Sequence, residues 1–248
     1  MPPIGLAILV ALLAVGVVAG AVAAVAGFGI GSLLTPTLAL LVGTKVAVAL
    51  TAIPHAVATA VRLWGVRGFV DRGVVAGFGV ASAAGGLVGG ILHANLTTPP
   101  LTVVLGSLLV LAGLSELAGW ARSVRIDGGW AIAAGALSGV FGGLVGNQGG
   151  IRSAALLRFG LPPQALVATA TAVALMVDAA RLPAYLIGSG DAIAEHGMLV
   201  VLLTVAVVVG TLLGVPVLRR LADRAFRTGL ASLLVILGAA LIGSVVAG

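Results

Sequence analysis

The feature that most constrains this chain is a succession of apolar runs, each close to the length of a membrane span. A helix needs about 20 apolar residues to cross the hydrocarbon core of a bilayer. The run 4–26 meets that length, and runs of the same character cover 47–65, 74–92, 101–120, 130–145, 165–187, 198–218 and 230–247. They predict an all-α polytopic membrane protein with about eight transmembrane helices. Composition agrees, because 60 % of the residues are hydrophobic and 8 % charged, against about 25 % charged in a soluble domain. Such a chain cannot cover its surface in water, but in lipid it has no need to. Soluble enzymes, disulfide scaffolds and disordered chains are excluded, and with no cysteine there is no thiolate metal site or thiol catalysis. The formal charge of +6 records loop orientation rather than nucleic-acid binding. Run 4–26 contains no Lys or Arg, unlike a cleaved signal peptide with its basic leader. Trp64, Trp120 and Trp130 stand beside charged loops, where amphipathic rings favour the headgroup region.

Two shorter apolar pieces, 32–42 and 151–159, cannot span as straight helices. Each follows a glycine-rich break, Gly27-Phe28-Gly29-Ile30-Gly31 and Gly146-Asn147-Gln148-Gly149-Gly150. The breaks are one sign that the sequence repeats itself. Ser107-Leu-Leu-Val-Leu-Ala-Gly113 recurs as Ser232-Leu-Leu-Val-Ile-Leu-Gly238, and Gly86-x-x-x-Gly90 as Gly210-x-x-x-Gly214. Ala49-Leu-Thr-Ala52 is matched by Val167-Ala-Thr-Ala170, and Arg62 by Arg181. The matches keep their order, so the chain divides into repeats 1–121 and 122–248.

Charge indicates how the repeats are related. The loop after the second span is basic in repeat one (Arg67, Arg72), whereas its counterpart at 188–197 carries Asp191 and Glu195. The next loop reverses this: 93–100 has no formal charge, but its counterpart holds Arg219, Arg220, Arg224 and Arg227. Loops of opposite basic content face opposite sides of the membrane, so the repeats are expected to be inverted. Inversion requires an odd number of crossings per repeat. A broken or re-entrant hairpin at each glycine break supplies that parity, and the Arg122–Asp127 linker then faces the cytoplasm.

The chain resembles the sulfite exporter TauE/SafE family of membrane transporters. The residues carrying the resemblance are Gly27-Phe-Gly-Ile-Gly-Ser-Leu-Leu-Thr-Pro36, Ala47-Val-Ala-Leu-Thr51 and Arg67-Gly-Phe-Val-Asp71, with Gly160-Leu-Pro-Pro163 and Ala168-Thr169 in repeat two. It departs from the family pattern with Thr44-Lys45 in place of a Pro-Pro pair, and with Asn147-Gln148 inside its second glycine segment. The resemblance implies transport of small sulfur-containing oxyanions such as sulfite, sulfonates or sulfoacetate across the cytoplasmic membrane.

The residues point to an anion independently. Helices restarting near Ser32 and Ile151 aim positive N-terminal ends into the breaks, and discontinuous helices at a repeat interface form midplane sites in secondary transporters. The expected substrate site is Gly29, Gly31, Ser32, Thr51, Asn147, Gln148, Gly149, Gly150, Arg152 and Thr169; the plainer alternative is that these glycines serve close packing. His55, Arg62, Asp178 and Arg181 are candidates for the pathway or for coupling to a proton or other ion. Against that stand snorkelling of the arginines, a local Asp178–Arg181 pair one helical turn apart, and a structurally satisfied histidine. Lys45 and Arg158 are read as meeting helix C-terminal carbonyls. The paired glycines of 85–90 and Gly210/Gly214 are packing surfaces, within the bundle or in a homodimer. No phosphate-binding loop, zinc spacing or nucleophile–base constellation is present, so neither a cofactor nor an enzymatic activity is expected. A secondary transporter is the favoured class, with a passive anion channel or a non-transporting membrane subunit as alternatives.

Overall fold

The computed structural model describes residues 5–26, 29–119, 130–221 and 224–247, which form helices and the breaks between them without a strand. In chain order they are α1 (Leu6–Ala26), a π-helical turn Ile30–Leu34 leading into α2 (Thr35–Val42), α3 (Thr44–Val66), a turn at Arg67–Phe69, and α4 (Arg72–Val74). A second π-helical turn, Val75–Gly79, joins α4 to α5 (Val80–Asn95), followed by α6 (Thr98–Leu117). The second half contains α7 (Trp130–Val145), α8 (Gly149–Leu157), α9 (Pro163–Glu195), α10 (Gly197–Leu221) and α11 (Arg224–Val246). Seven of these stretches are long and apolar enough to cross a membrane, while Ile30–Val42 and Trp130–Val145 are shorter apolar helices. The linker expected at the cytoplasmic face, Trp120, and the side chains of Arg219, Arg220, Arg224 and Arg227 lie outside the described residues.

Local sequence explains the ends. Prolines open α6 and α9, where a missing N–H costs nothing. Asp71 begins α4, its carboxylate accepting the Val74 N–H at 2.9 Å. Lys45 donates to the Ala94 and Leu96 carbonyls, both at 2.9 Å, so it meets the C-terminal end of α5 as its charge favours.

Glycine sets the packing, because side chains gain little from leaving lipid and close backbone approach must supply the contact. A Cβ at Gly139 would lie 1.9 Å from the Ser82 carbonyl oxygen, and one at Gly85 2.0 Å from that of Ala136. Gly86 and Gly90 face α9 at Val177 and Arg181, and Gly210 and Gly214 face α1 at Val17 and Ala21. These glycine rows therefore pack within the bundle.

The same contacts give helix directions. Along α5 and α7 the partners climb together, Gly85 on Ala136 and Gly89 on Val140, so the pair is parallel. Helices α1 and α10 are parallel too, with Gly16 on Ala206 and Gly214 on Ala21. Helices α6 and α11 are antiparallel: Gly106 meets Gly238 and Ile242, whereas Gly113 meets Ala231 and Val235. In α3 and α9, Lys45 and Gly188 both reach Ala94, while Asp71 beyond the other end of α3 bonds Thr169 early in α9. That pair is antiparallel as well.

Replacing Gly139 by Leu should drive α5 and α7 apart, costing about 1–3 kcal/mol or more for overpacking. Gly77, where a Cβ would meet nothing within 4 Å, should accept Ala with a change of about 0.5 kcal/mol or less. Thermal unfolding of the detergent-solubilised variants measures both.

Candidate functional site

Both glycine breaks turn the chain back on itself. Gly29 has φ +153° and lies against Ala19, Val22 and Ala23 of α1; Gly146 has φ +73°. Each conformation is one that a side chain would strain. Beyond Gly146 the chain returns over α7, where the Ser138 hydroxyl donates to the Gln148 carbonyl at 3.2 Å and Gly142 faces the Gln148 side chain. The two breaks then meet. A Cβ at Gly31 would lie 2.0 Å from the Gly146 carbonyl oxygen, and the Ser32 hydroxyl donates to Asn147 Oδ1 at 3.3 Å.

Ending α7 inside the protein leaves its last carbonyls to be met by side chains, that of Gly142 also keeping the Gly146 N–H at 3.0 Å. Arg181 of α9 donates from Nη1 to the Gly142 carbonyl at 2.6 Å, Tyr185 donates to that of Gly143, and His93 Nδ1 to that of Leu144 at 2.8 Å. The His93 and Tyr185 rings pack with centroids 4.6 Å apart. In the other half Arg62 donates from Nη1 to the Ala23 carbonyl near the end of α1. The matched arginines thus do matched work: each holds the terminus of its own half's first helix rather than snorkelling to the surface.

Their surroundings differ. The Asp178 Oδ1 atom accepts from Arg181 Nη2 at 2.7 Å and Nε at 3.1 Å, while Oδ2 lies 2.6 Å from His55 Nδ1 on α3. Asp178 is fully buried and is the one buried carboxylate among the described residues. Arg62 has no carboxylate on its own helix turn; Thr59 stands there instead, its hydroxyl 3.5 Å from His55 Nδ1. Arg152, 2 % exposed on α8, lies close enough to Arg62 and Asp178 to act on both electrostatically. Three arginines therefore surround one carboxylate in the interior.

Of the expected site, the structure gathers Gly29, Gly31, Ser32, Asn147 and Gln148 at the breaks, with Gly149 buried at the start of α8. The Gln148 Oε1 atom is buried and accepts no hydrogen bond. Thr51 is buried, its hydroxyl 2.9 Å from that of Thr35 and within reach of the Ala47 carbonyl. Gly150 is exposed with open space beside it. Thr169 is held elsewhere, accepting the Asp71 N–H at 2.9 Å. The sequence reading missed Tyr185, His93 and Thr35; the one signal for Tyr185 was its place one turn beyond Arg181 in an otherwise apolar span. A cavity of about 250 Å³, lined in part by Gly43, Thr44 and Thr102, lies apart from the charged cluster.

Broken helices that meet face to face over buried arginines, within a bundle of apolar spans, define a multi-pass membrane protein with a positively charged interior. The chain belongs to the sulfite exporter TauE/SafE family, whose model matches residues 12–241. It is accordingly a membrane transporter of the sulfite or anion exporter type. No curated protein and no solved structure matches it.

Removing Arg181 strands a buried carboxylate, a loss of about 3–5 kcal/mol. Removing Arg62 strands a carbonyl, about 1–3 kcal/mol. Arg181→Met should therefore be the more destabilising of the two in thermal unfolding, and equal losses would contradict this division of roles.

Proposed function

We propose that the protein moves small sulfur oxyanions, such as sulfite, sulfonates and sulfoacetate-like anions, across the cytoplasmic membrane by alternating access. The anion sits where the glycine breaks meet. The observation that carries this reading is the buried charge: Arg62, Arg152 and Arg181 lie within electrostatic reach of Asp178, the one buried carboxylate among the described residues. Helix ends offset part of that excess, since Arg62 and Arg181 donate to C-terminal carbonyls. A small oxyanion would accept from the donors at hand. Those are the Ser32 hydroxyl, the Asn147 and Gln148 amides, the freed N–H groups at the start of α8 and the Arg152 guanidinium. Thr169, tied to Asp71, is left out of this site. No chemical step on the anion is proposed.

Helix directions support an inverted arrangement of two repeats. A two-fold axis in the membrane plane makes equivalent helices antiparallel, as α3 with α9 and α6 with α11, and makes the cross-pairs α1 with α10 and α7 with α5 parallel. An axis along the membrane normal would give the opposite in every pair. The matched capping of α1 by Arg62 and α7 by Arg181 supports the duplication itself. Rocking of one repeat against the other about the breaks then exposes the anion to each side in turn.

Two measurements test this. In proteoliposomes the protein should accumulate or exchange sulfite or a sulfonate with saturating kinetics. Arg152→Gln should weaken it at least about tenfold, the loss of a charged hydrogen bond of about 1.5–3 kcal/mol, whereas the exposed Arg158→Gln should not. Absence of flux for every sulfur oxyanion would refute the reading, and unsaturable conductance would mark a channel. For topology, cysteines replacing Asn95 and Ser189 should react with an impermeant reagent from one face, and one replacing Arg72 from the other; labelling of all three from one face would end the inverted arrangement.

A further inference from the structure

The charged cluster carries one feature that holding an anion does not require. Asp178 joins the two halves, because its partners are Arg181 on its own helix and His55 on α3. The carboxylate is fully buried, whereas the His55 side chain keeps 15 % exposure. Of the two groups the imidazole is the less enclosed. The pair also lies at a lever point. Arg181 Nη1 rests against the Gly142 carbonyl, and a Cβ on Gly146, in the second break, would lie 3.3 Å from that same nitrogen. What Asp178 does to Arg181 is thus felt at the break.

We infer that the His55–Asp178 pair is a proton-binding site filled together with the transported anion, so that proton and anion travel in the same direction. The inference rests on the proposed anion site and adds its coupling ion. The reason is the sign of the charge. With a neutral imidazole and an ionised carboxylate the pair carries −1 and holds Arg181 to itself. Taking one proton from water makes the pair neutral, whichever of the two groups bears it. No other bond is made or broken. Arg181 is then less committed to Asp178, and the interior gains a positive charge a few ångströms from the break, which favours an anion there. By linkage the anion raises the pair's proton affinity by the same factor. Competition between proton and anion, as exchange in opposite directions would need, has the wrong sign.

Among the described residues no other group near the pair offers a second carboxylate. Helix α3 brings Arg62 besides His55, α8 brings Arg152, and α9 brings Arg181 and Tyr185. Helix α5 brings His93, which faces Tyr185 and the Leu144 carbonyl. The turn at Arg67–Phe69 brings Arg67, which stacks on the Trp64 ring at 3.9 Å. Helix α7, the π-helical turn Val75–Gly79 and the span Gly197–Gly214 have no ionisable side chain.

The test compares sulfite binding by the purified full chain and by Asp178→Asn, a near-isosteric change that removes the carboxylate's negative charge at every pH. Sulfite itself titrates, but equally for both proteins, so the ratio of their Kd values at each pH isolates the pair. The ratio Kd(wild type)/Kd(D178N) should be near one at low pH. It should rise by up to about tenfold per pH unit above the pair's titration, the slope set by one linked proton. His55→Gln retains the carboxylate but removes the imidazole, and the rise should move to lower pH; this variant keeps the test decisive if Asp178→Asn does not fold. Sulfite binding with a ratio that does not change with pH, or a His55→Gln profile identical to wild type, would overturn the coupling while leaving the anion site standing. Failure of the wild type to bind sulfite at any pH would overturn both.

Discussion

A helix that stops inside a membrane protein leaves carbonyl groups that water cannot reach, and much of this interior is arranged to answer them. Helices α1 and α7 both stop at a glycine break, and each receives an arginine from the second long helix of its own half. Arginine suits the place because its fork delivers several donors and its charge opposes the negative end of the helix. Once the arginines are fixed, the remaining polar residues find their positions: Asp178 beside Arg181, His55 against Asp178, and Tyr185 and His93 on the next two carbonyls. The polar core is therefore in large part a consequence of broken helices. The requirement that closes α1 and α7 also concentrates positive charge where the breaks meet.

Symmetry and its violation divide the labour. The equivalent arginines perform the same backbone task, yet only one has a carboxylate, since Thr59 occupies the place in α3 that Asp178 occupies in α9. Counting from the two breaks, Gly29 and Gly146, Thr35 of the first half corresponds to Arg152 of the second. The side chains at these corresponding places are thus neutral in the first half and cationic in the second.

The spans and both breaks were legible in the sequence because lipid enforces length and glycine marks the interruption. Seven long helices fall where apolar runs lie, and hairpins form at both breaks. The correspondence of Arg62 and Arg181 could be read, but their task could not, because a carbonyl becomes a target only after the chain folds back beside it. Thr169 shows the limit of reasoning by repeat. It matches Thr51 in sequence, but Thr51 pairs with Thr35 whereas Thr169 accepts from a loop of the other half. His93 was counted as part of a loop, although it lies at the last turn of α5 with its ring turned inward. Single polar residues in apolar sequence give no period from which to read their direction.

The cross-pairing of α1 with α10 and of α5 with α7 has a consequence for synthesis. The hydroxyl of Thr211 reaches back to the carbonyl of Gly20 across 191 positions of chain. Helix α1, made well before α10, must wait in the bilayer with its glycine face uncovered until α10 has followed. It can do so because a helix satisfies its own backbone in lipid. Neither α1 nor α5 therefore meets its glycine-packed partner, α10 or α7, until the later part of the chain is in place.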